Sequence, residues 1–198
     1  MLAFVIFVFA VAGMIKGTIG LGLPAVSMGL LSLVISPFQA ATLLIIPSMV
    51  TNFWQLFAEG RVLRLVQRFW PLLVGMIIGS VWSVFPTLGH GEFQSEALLG
   101  GMLAIYGLYG LFAKNMPNLA PYEKYLSPIM GYLGGALTVA TGVVVIPVVP
   151  YLQSLHLKRD DLVQSLGLAF TVSTLCLAVY LHLNPVEDTP IDYQLSLI

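Results

Sequence analysis

Apolar positions in this chain fall into six long runs separated by short polar segments. The runs cover about 1–36, 39–58, 69–86, 97–113, 126–153 and 162–183. The unbroken runs have the roughly 20 residues that a helix needs to cross about 30 Å of hydrocarbon. The first and fifth are longer, and a glycine-rich stretch interrupts each, at 17–24 and at 138–147. The first stretch lies in Gly13-Met14-Ile15-Lys16-Gly17-Thr18-Ile19-Gly20-Leu21-Gly22-Leu23-Pro24. The second runs from Gly131 through Gly134, Gly135, Thr138, Thr141 and Gly142 to Pro147. Broken helices leave backbone groups unpaired, and lipid tolerates these only where they face protein or a cavity. Paired breaks in two halves of a chain are a pointer to a transporter binding site.

Composition puts lipid around much of the molecule. The chain has 198 residues, 58% hydrophobic and 9% charged, with a mean hydropathy of +0.94. A soluble domain carries about 25% charged residues. The net charge of -1 and the lack of a basic run give no footing for nucleic acid. The single cysteine, Cys176, lies in an apolar run, which excludes an internal disulfide or a cysteine metal cluster. It reads as a small buried hydrophobe. Ala10-Val11-Ala12 resembles a signal-peptidase site, but no positive segment precedes it and the apolar run continues beyond. Trp54, Trp70, Tyr122, Tyr125 and Tyr151 sit near the ends of runs, as interfacial anchors do.

The two halves match beyond their glycines. Gln39 follows the first broken run and opens a long helix; Gln164 does the same after the second. The offset between matched positions grows from Gly13/Gly131 through Pro24/Pro147 to Gln39/Gln164, as small loop insertions would produce. Chance similarity of glycine-rich apolar segments is the competing account.

Loop charges set orientation. Arg61, Arg64 and Arg68 against Glu59 make the 59–68 segment cytoplasmic. Glu92 and Glu96 make 87–96 external. Lys114 and Lys124 make 114–125 cytoplasmic, and Lys158 and Arg159 beside His156 do the same for the next loop. The tail, with Glu187, Asp188 and Asp192, reads external. Both flanks of the fifth run are then cytoplasmic, so it enters and returns as a hairpin. The first run, by the repeat, is a hairpin opening outside. A long, kinked helix in place of each hairpin is the alternative. The expected fold is an all-α polytopic membrane protein of two inverted repeats, each starting with a glycine-broken helix. Its parts are a first repeat over 1–113, a cytoplasmic linker over 114–125, a second and incomplete repeat over 126–183 and a polar tail over 184–198.

Two blocks carry a family resemblance. The first is the Gly13–Pro24 motif followed by Pro47-Ser48-Met49-Val50-Thr51-Asn52-Phe53-Trp54-Gln55. The second runs from Pro150-Tyr151-Leu152-Gln153 through Asp161 and Gln164 to Thr171-Val172-Ser173-Thr174. In order, over about 1–182, they resemble the TauE/SafE sulfite exporter family. The resemblance implies a multi-pass inner-membrane permease for small sulfur-containing or organic anions: sulfite, sulfonate, sulfoacetate. Members of that family usually continue with further membrane segments, whereas this chain turns polar after Leu183. Either the chain is a truncated product or fragment, or the last segments are absent.

Candidate chemistry centres on the breaks. Half-helix N-termini offer N–H donors and positive potential to an oxyanion. Gly20, Gly22, Thr141 and Gly142 are the candidates there, with close helix packing as the alternative role. Lys16 is the one charge inside a broken apolar segment. A lysine at mid-membrane costs about 2.5–3.5 kcal/mol, so it attracts an anion from a cavity or snorkels to the interface. Thr42, Thr51, Asn52 and Gln55 on the second long helix, and Thr171, Ser173 and Thr174 on the last, either line the anion's path or bond between helices. His90, His156 and His182 are scattered, so no metal and no cofactor are expected. The runs hold no carboxylate for a proton relay, so the expected energetics are those of a uniporter. Export of an anion from a negative interior is favoured by about 2.3 kcal/mol per charge per 100 mV. The glycine pair Gly75 and Gly79 would allow a homodimer. An intramembrane enzyme would need His or Asp placed to activate a Ser or Thr, and none is. The remaining alternative is a non-transporting scaffold or an inactive truncated paralogue.

Overall fold

The structure is a computed structural model that describes residues 2–58, 60–88, 92–112, 117–144 and 146–185. Glu59, His90, Lys114, Glu187, Asp188 and Asp192, which entered the orientation and ligand readings, lie outside the described residues. Among the described residues the chain is helical throughout. The helices are α1 (Leu2–Ile19), α2 (Leu23–Leu31), α3 (Pro37–Phe57), α4 (Val62–Val81), α5 (Glu92–Phe112), α6 (Glu123–Thr141), α7 (Val148–Ser154) and α8 (Arg159–Leu183). A single 3-10 turn, Ala120–Tyr122, precedes α6.

Five of these helices are long and apolar enough to cross a membrane: α1, α3, α4, most of α5, and α8. They make this a multi-pass membrane protein. Their outward faces carry Phe7, Trp54, Ile77, Leu108 and Leu111, all exposed. In water such faces would be aggregation sites; in lipid they are the solvated surface. Polar residues turn inward instead, with Ser48, Asn52 and Gln55 of α3 all buried.

Helix α4 begins seven residues before the apolar run it belongs to. Arg64 and Arg68 therefore stand on its first turns and not in a loop. Leu65 and Phe69 continue the buried stripe down through this segment, while the long arginine stems keep their charge at the surface. Likewise α5 begins at Glu92, inside the segment read as a loop. Helix α3 starts with a capping box: Ser36 Oγ accepts from Gln39 N at 3.3 Å, and Gln39 Oε1 accepts from Ser36 N at 3.4 Å.

Glycine sets the distance between α4 and α6. A Cβ at Gly75 or Gly79 would overlap the Pro128 or Tyr132 carbonyl oxygen of α6. One at Gly131 or Gly135 would overlap the Leu72 or Met76 carbonyl oxygen of α4. The two small-residue stripes face each other, as in closely packed membrane helices. The Gly75/Gly79 pair is thus consumed inside the chain and is not presented to a second copy. Gly167 brings α8 equally near α3, with its Cβ position 2.8 Å from Leu56 N.

One end of the bundle carries the described basic residues near the helix starts. Arg68 grips Glu123, at the start of α6, by two hydrogen bonds of 2.7 Å. Arg61 pairs with Asp161, in the first turn of α8, at 2.8 Å. Leu119 N also donates to the Ser154 carbonyl at the end of α7, at 3.1 Å. The chain entering α6 and the chain leaving α7 therefore lie at the same end. At α4's other end, Tyr132 Oη donates to the Trp82 carbonyl at 2.8 Å, and Leu88 N donates to Val139 at 2.9 Å.

Candidate functional site

Helix α1 delivers Lys16 to the interior. Val5, Val8, Ala12 and Lys16 recur at helical spacing and form its buried face. Lys16 is only 6% exposed, so it does not snorkel. Its Nζ donates to Thr51 Oγ1 at 2.9 Å and to Asn52 Oδ1. It also lies 5.7 Å from the centre of the Phe170 ring, within cation–π range. Among the described residues no carboxylate pairs with it. Its partners among the described residues are all neutral.

Asn52 links Lys16 to α8. Asn52, fully buried, accepts from Lys16 through Oδ1 and donates through Nδ2 to Thr174 Oγ1 at 3.2 Å. Thr174 is then an acceptor, and its own O–H is left to point elsewhere. Hydrogen bonds in such a series polarise one another. The series ends at a cavity of about 20 Å³, which Thr174 lines with Ser48, Thr138, Gly142, Phe170 and Ser173. That is space for about one water molecule. Thr138 Oγ1 and Ser173 Oγ share a hydrogen bond of 3.0 Å on its wall. Residues from both halves of the chain thus meet around one small, largely apolar space that four hydroxyl-bearing residues line.

The other expected positions divide. Gln55 lies one turn beyond Asn52 and donates to the Gly20 carbonyl at 3.1 Å and to the Val163 carbonyl at 3.0 Å. Gly22 is the N-cap of α2, with φ 104°, and packs on Ile15. Thr141 and Thr171 are buried, and each hydroxyl donates to its own helix, to Leu137 and Gly167 at 2.7 Å. Thr42 does likewise toward Phe38, at 3.0 Å. A hydroxyl bonded back to the preceding turn has no proton left to donate to an anion.

The half-helix ends differ from the expected donors. Gly20 (φ 78°) and Gly142 (φ 75°) follow the carbonyl-bearing ends of α1 and α6. Left-handed glycine is a device for ending helices, so these two mark C-termini. At the start of α2, Pro24 removes one of the N–H groups that would otherwise face a ligand. The positive potential near this cavity comes from the Lys16 ammonium.

The family described as "Sulfite exporter TauE/SafE" matches residues 5–197. The chain belongs to the TauE/SafE family. No curated protein and no solved structure matches it significantly. Membership makes this multi-pass chain a member of a membrane transporter family, and the buried lysine cluster is its candidate site. Three residues of the TauE/SafE chain's site were not singled out from sequence: Ser48, Phe170 and Thr138 as a cavity-lining hydroxyl. Ser48 was findable, because it stands four residues before Asn52 and seven before Gln55 on one helical face. Phe170 had no signal, being one phenylalanine among 11.

Proposed function

We propose that this chain carries small oxyanions of the sulfite, sulfonate or sulfoacetate kind across the cell's inner membrane. The observation that carries the reading is Lys16: a nine-tenths-buried ammonium in a membrane-spanning helix, held only by neutral partners and connected through Asn52 to a cavity. A charge so placed costs about 2.5–3.5 kcal/mol, and an anion bound nearby offsets that cost. The family supports the substrate class. Thr174 is the donor that would meet the anion, with Lys16 supplying charge from behind it. Charge-assisted hydrogen bonds of this type contribute about 1.5–3 kcal/mol each, which suits reversible binding.

The architecture supports two inverted repeats, over 1–113 and 126–183, joined by a linker. In each, a helix ends at a left-handed glycine and a shorter helix follows: α1 with α2, and α6 with α7. The ion pairs of Arg68 and Arg61 support an α6–α7 unit that leaves and returns at one end, which basic residues mark as cytoplasmic. Hairpins, with opposite orientations in the two halves, fit this better than long kinked helices.

Efflux of sulfite and of sulfoacetate from proteoliposomes tests the reading. The parent chain is expected to release both, faster with a negative interior. Lys16→Ala and Thr174→Val are expected to lower efflux roughly tenfold or more, the equivalent of one charge-assisted bond. Parent-level efflux in Lys16→Ala would overturn the site. Efflux that ignores voltage but needs a pH gradient would overturn the uniport. No efflux from the correctly inserted parent would favour the scaffold reading.

A further inference from the structure

Helices α3 and α8 exchange side-chain-to-backbone bonds at one level and line the small cavity at the next. Toward the arginine-bearing end, Gln55 of α3 donates to the Val163 carbonyl of α8 at 3.0 Å. Gln164 of α8 donates back to the Leu56 carbonyl of α3 at 2.6 Å. Gln55 also holds the Gly20 carbonyl at the end of α1, at 3.1 Å. Gly167 brings the two backbones close between these bonds. Both glutamines are more than nine-tenths buried. Each leaves its Oε1 buried and without a partner. Further along the same helices, on the other side of Asn52, the cavity opens between Leu44, Ile45 and Ser48 of α3 and Phe170, Ser173 and Thr174 of α8. Ser48 and Gln55 are about 10 Å apart along the helix, at 1.5 Å per residue.

We infer that Gln55 and Gln164 form the gate that closes the Lys16 site toward the arginine-bearing, cytoplasmic face. The inference deepens the carrier reading and rests on it. Two features separate a gate from ordinary helix packing. The contact is reciprocal, each helix offering one amide to the other's backbone, so it opens as a unit. It also leaves two amide oxygens unsatisfied when shut, and an interior normally satisfies such atoms. Opening would let water reach both oxygens. The closed state is therefore only modestly favoured, which a gate needs if a small substrate is to switch it. Leu56 lies in the last turn of α3, where its carbonyl has no partner in the helix ladder. Gln164 supplies that partner while the gate is shut.

The test is a thiol probe and needs no transported anion, so it can fail independently of the transport assay. Cys176 is changed to Ser, removing the chain's one cysteine, and Ser48→Cys is added on the cavity wall. A membrane-impermeant maleimide is applied to inverted vesicles, which expose the cytoplasmic face. The parent probe should react slowly. Gln55→Met and Gln164→Met each remove a donor at similar side-chain length, and each should speed labelling about threefold to tenfold, the effect of one net hydrogen bond. Gln55→Glu guards against misfolding, because one sample is read at two pH values. Protonated, it can still donate to the facing carbonyls; ionised, it repels them. Its labelling, normalised to the parent probe, should rise with pH. Rates equal to the parent in all three variants would overturn the gate. So would rapid cytoplasmic labelling of the parent probe itself.

Discussion

At the residue scale, Lys16 and Asn52 are coupled, and the coupling predicts how the site tolerates damage. Asn52→Leu leaves a buried ammonium short of its acceptor, at about 1–3 kcal/mol. Lys16→Met on that background removes the stranded charge, so it should restore at least half of the lost stability. Thermal midpoints in detergent for the four members of this cycle check it, with an expected coupling of about 0.5–3 kcal/mol. Strict additivity would mean that the two side chains do not depend on each other. Lys16, Thr51, Asn52 and Gln55 were readable from sequence because a polar residue in an apolar run is conspicuous. What each one bonds was not readable. Thr51 and Thr171 look alike in sequence and each donates to its own helix, yet Thr51 also accepts from Lys16. A hydroxyl can be satisfied locally or across helices, and only the packing decides which. Gln39 and Gln164 looked like equivalent landmarks. One is part of an exposed capping box, the other a buried bridge to α3.

At the element scale, the glycines separate into three kinds that sequence alone does not distinguish. Gly20, Gly22 and Gly142 have positive φ and end or begin helices. Gly75, Gly79, Gly131 and Gly135 let α4 and α6 touch backbone to backbone. Gly13, Gly17, Gly101 and Gly107 have no atom near their Cβ positions. The substitution Gly→Ala should therefore change sign with position. Gly79→Ala or Gly135→Ala must push α4 off α6, and loss of the folded peak in detergent size exclusion is expected. Gly17→Ala and Gly101→Ala should be neutral or raise stability by about 0.5–1 kcal/mol, the ordinary helix preference for alanine. Destabilisation at Gly17 comparable to that at Gly79 would show that its face is covered in the membrane. Helix existence was legible throughout, because runs of about 20 apolar residues have one stable form in lipid. The starts of α4 and α5 were less so, since arginine and glutamate on a first turn look like a loop by hydropathy.

At the scale of the whole molecule, the decisive property is which ends of the helices share a face. The sequence suggested it through basic loops, of whose residues Lys114 falls outside the described set. The contacts supply a separate argument. Arg68–Glu123 ties the start of α6 to α4, and Arg61–Asp161 ties the start of α8 to the same end. Exposed ion pairs of this kind add only about 0–1 kcal/mol, so they report topology more than they enforce it. If α6 and α7 were one kinked span, Asn118 before them and His156 after them would face opposite sides of the membrane. If they are a hairpin, both face the cytoplasm together with Arg64, while Val84 faces outside. Single cysteines at 64, 84, 118 and 156 in the Cys176→Ser chain, labelled in right-side-out and inverted vesicles, separate the two. Positions 64, 118 and 156 are expected to react only when inverted, and 84 only when right-side-out. Opposite labelling of 118 and 156 would remove the hairpin. It would also place α8 in the same direction as α3, its counterpart in the first half, and the inverted repeat could not then hold. Of the site's contacts, Lys16–Asn52 would survive that outcome, because it rests on α1 and α3 alone. A gate on a chosen face would not, since its sidedness depends on where α8 begins.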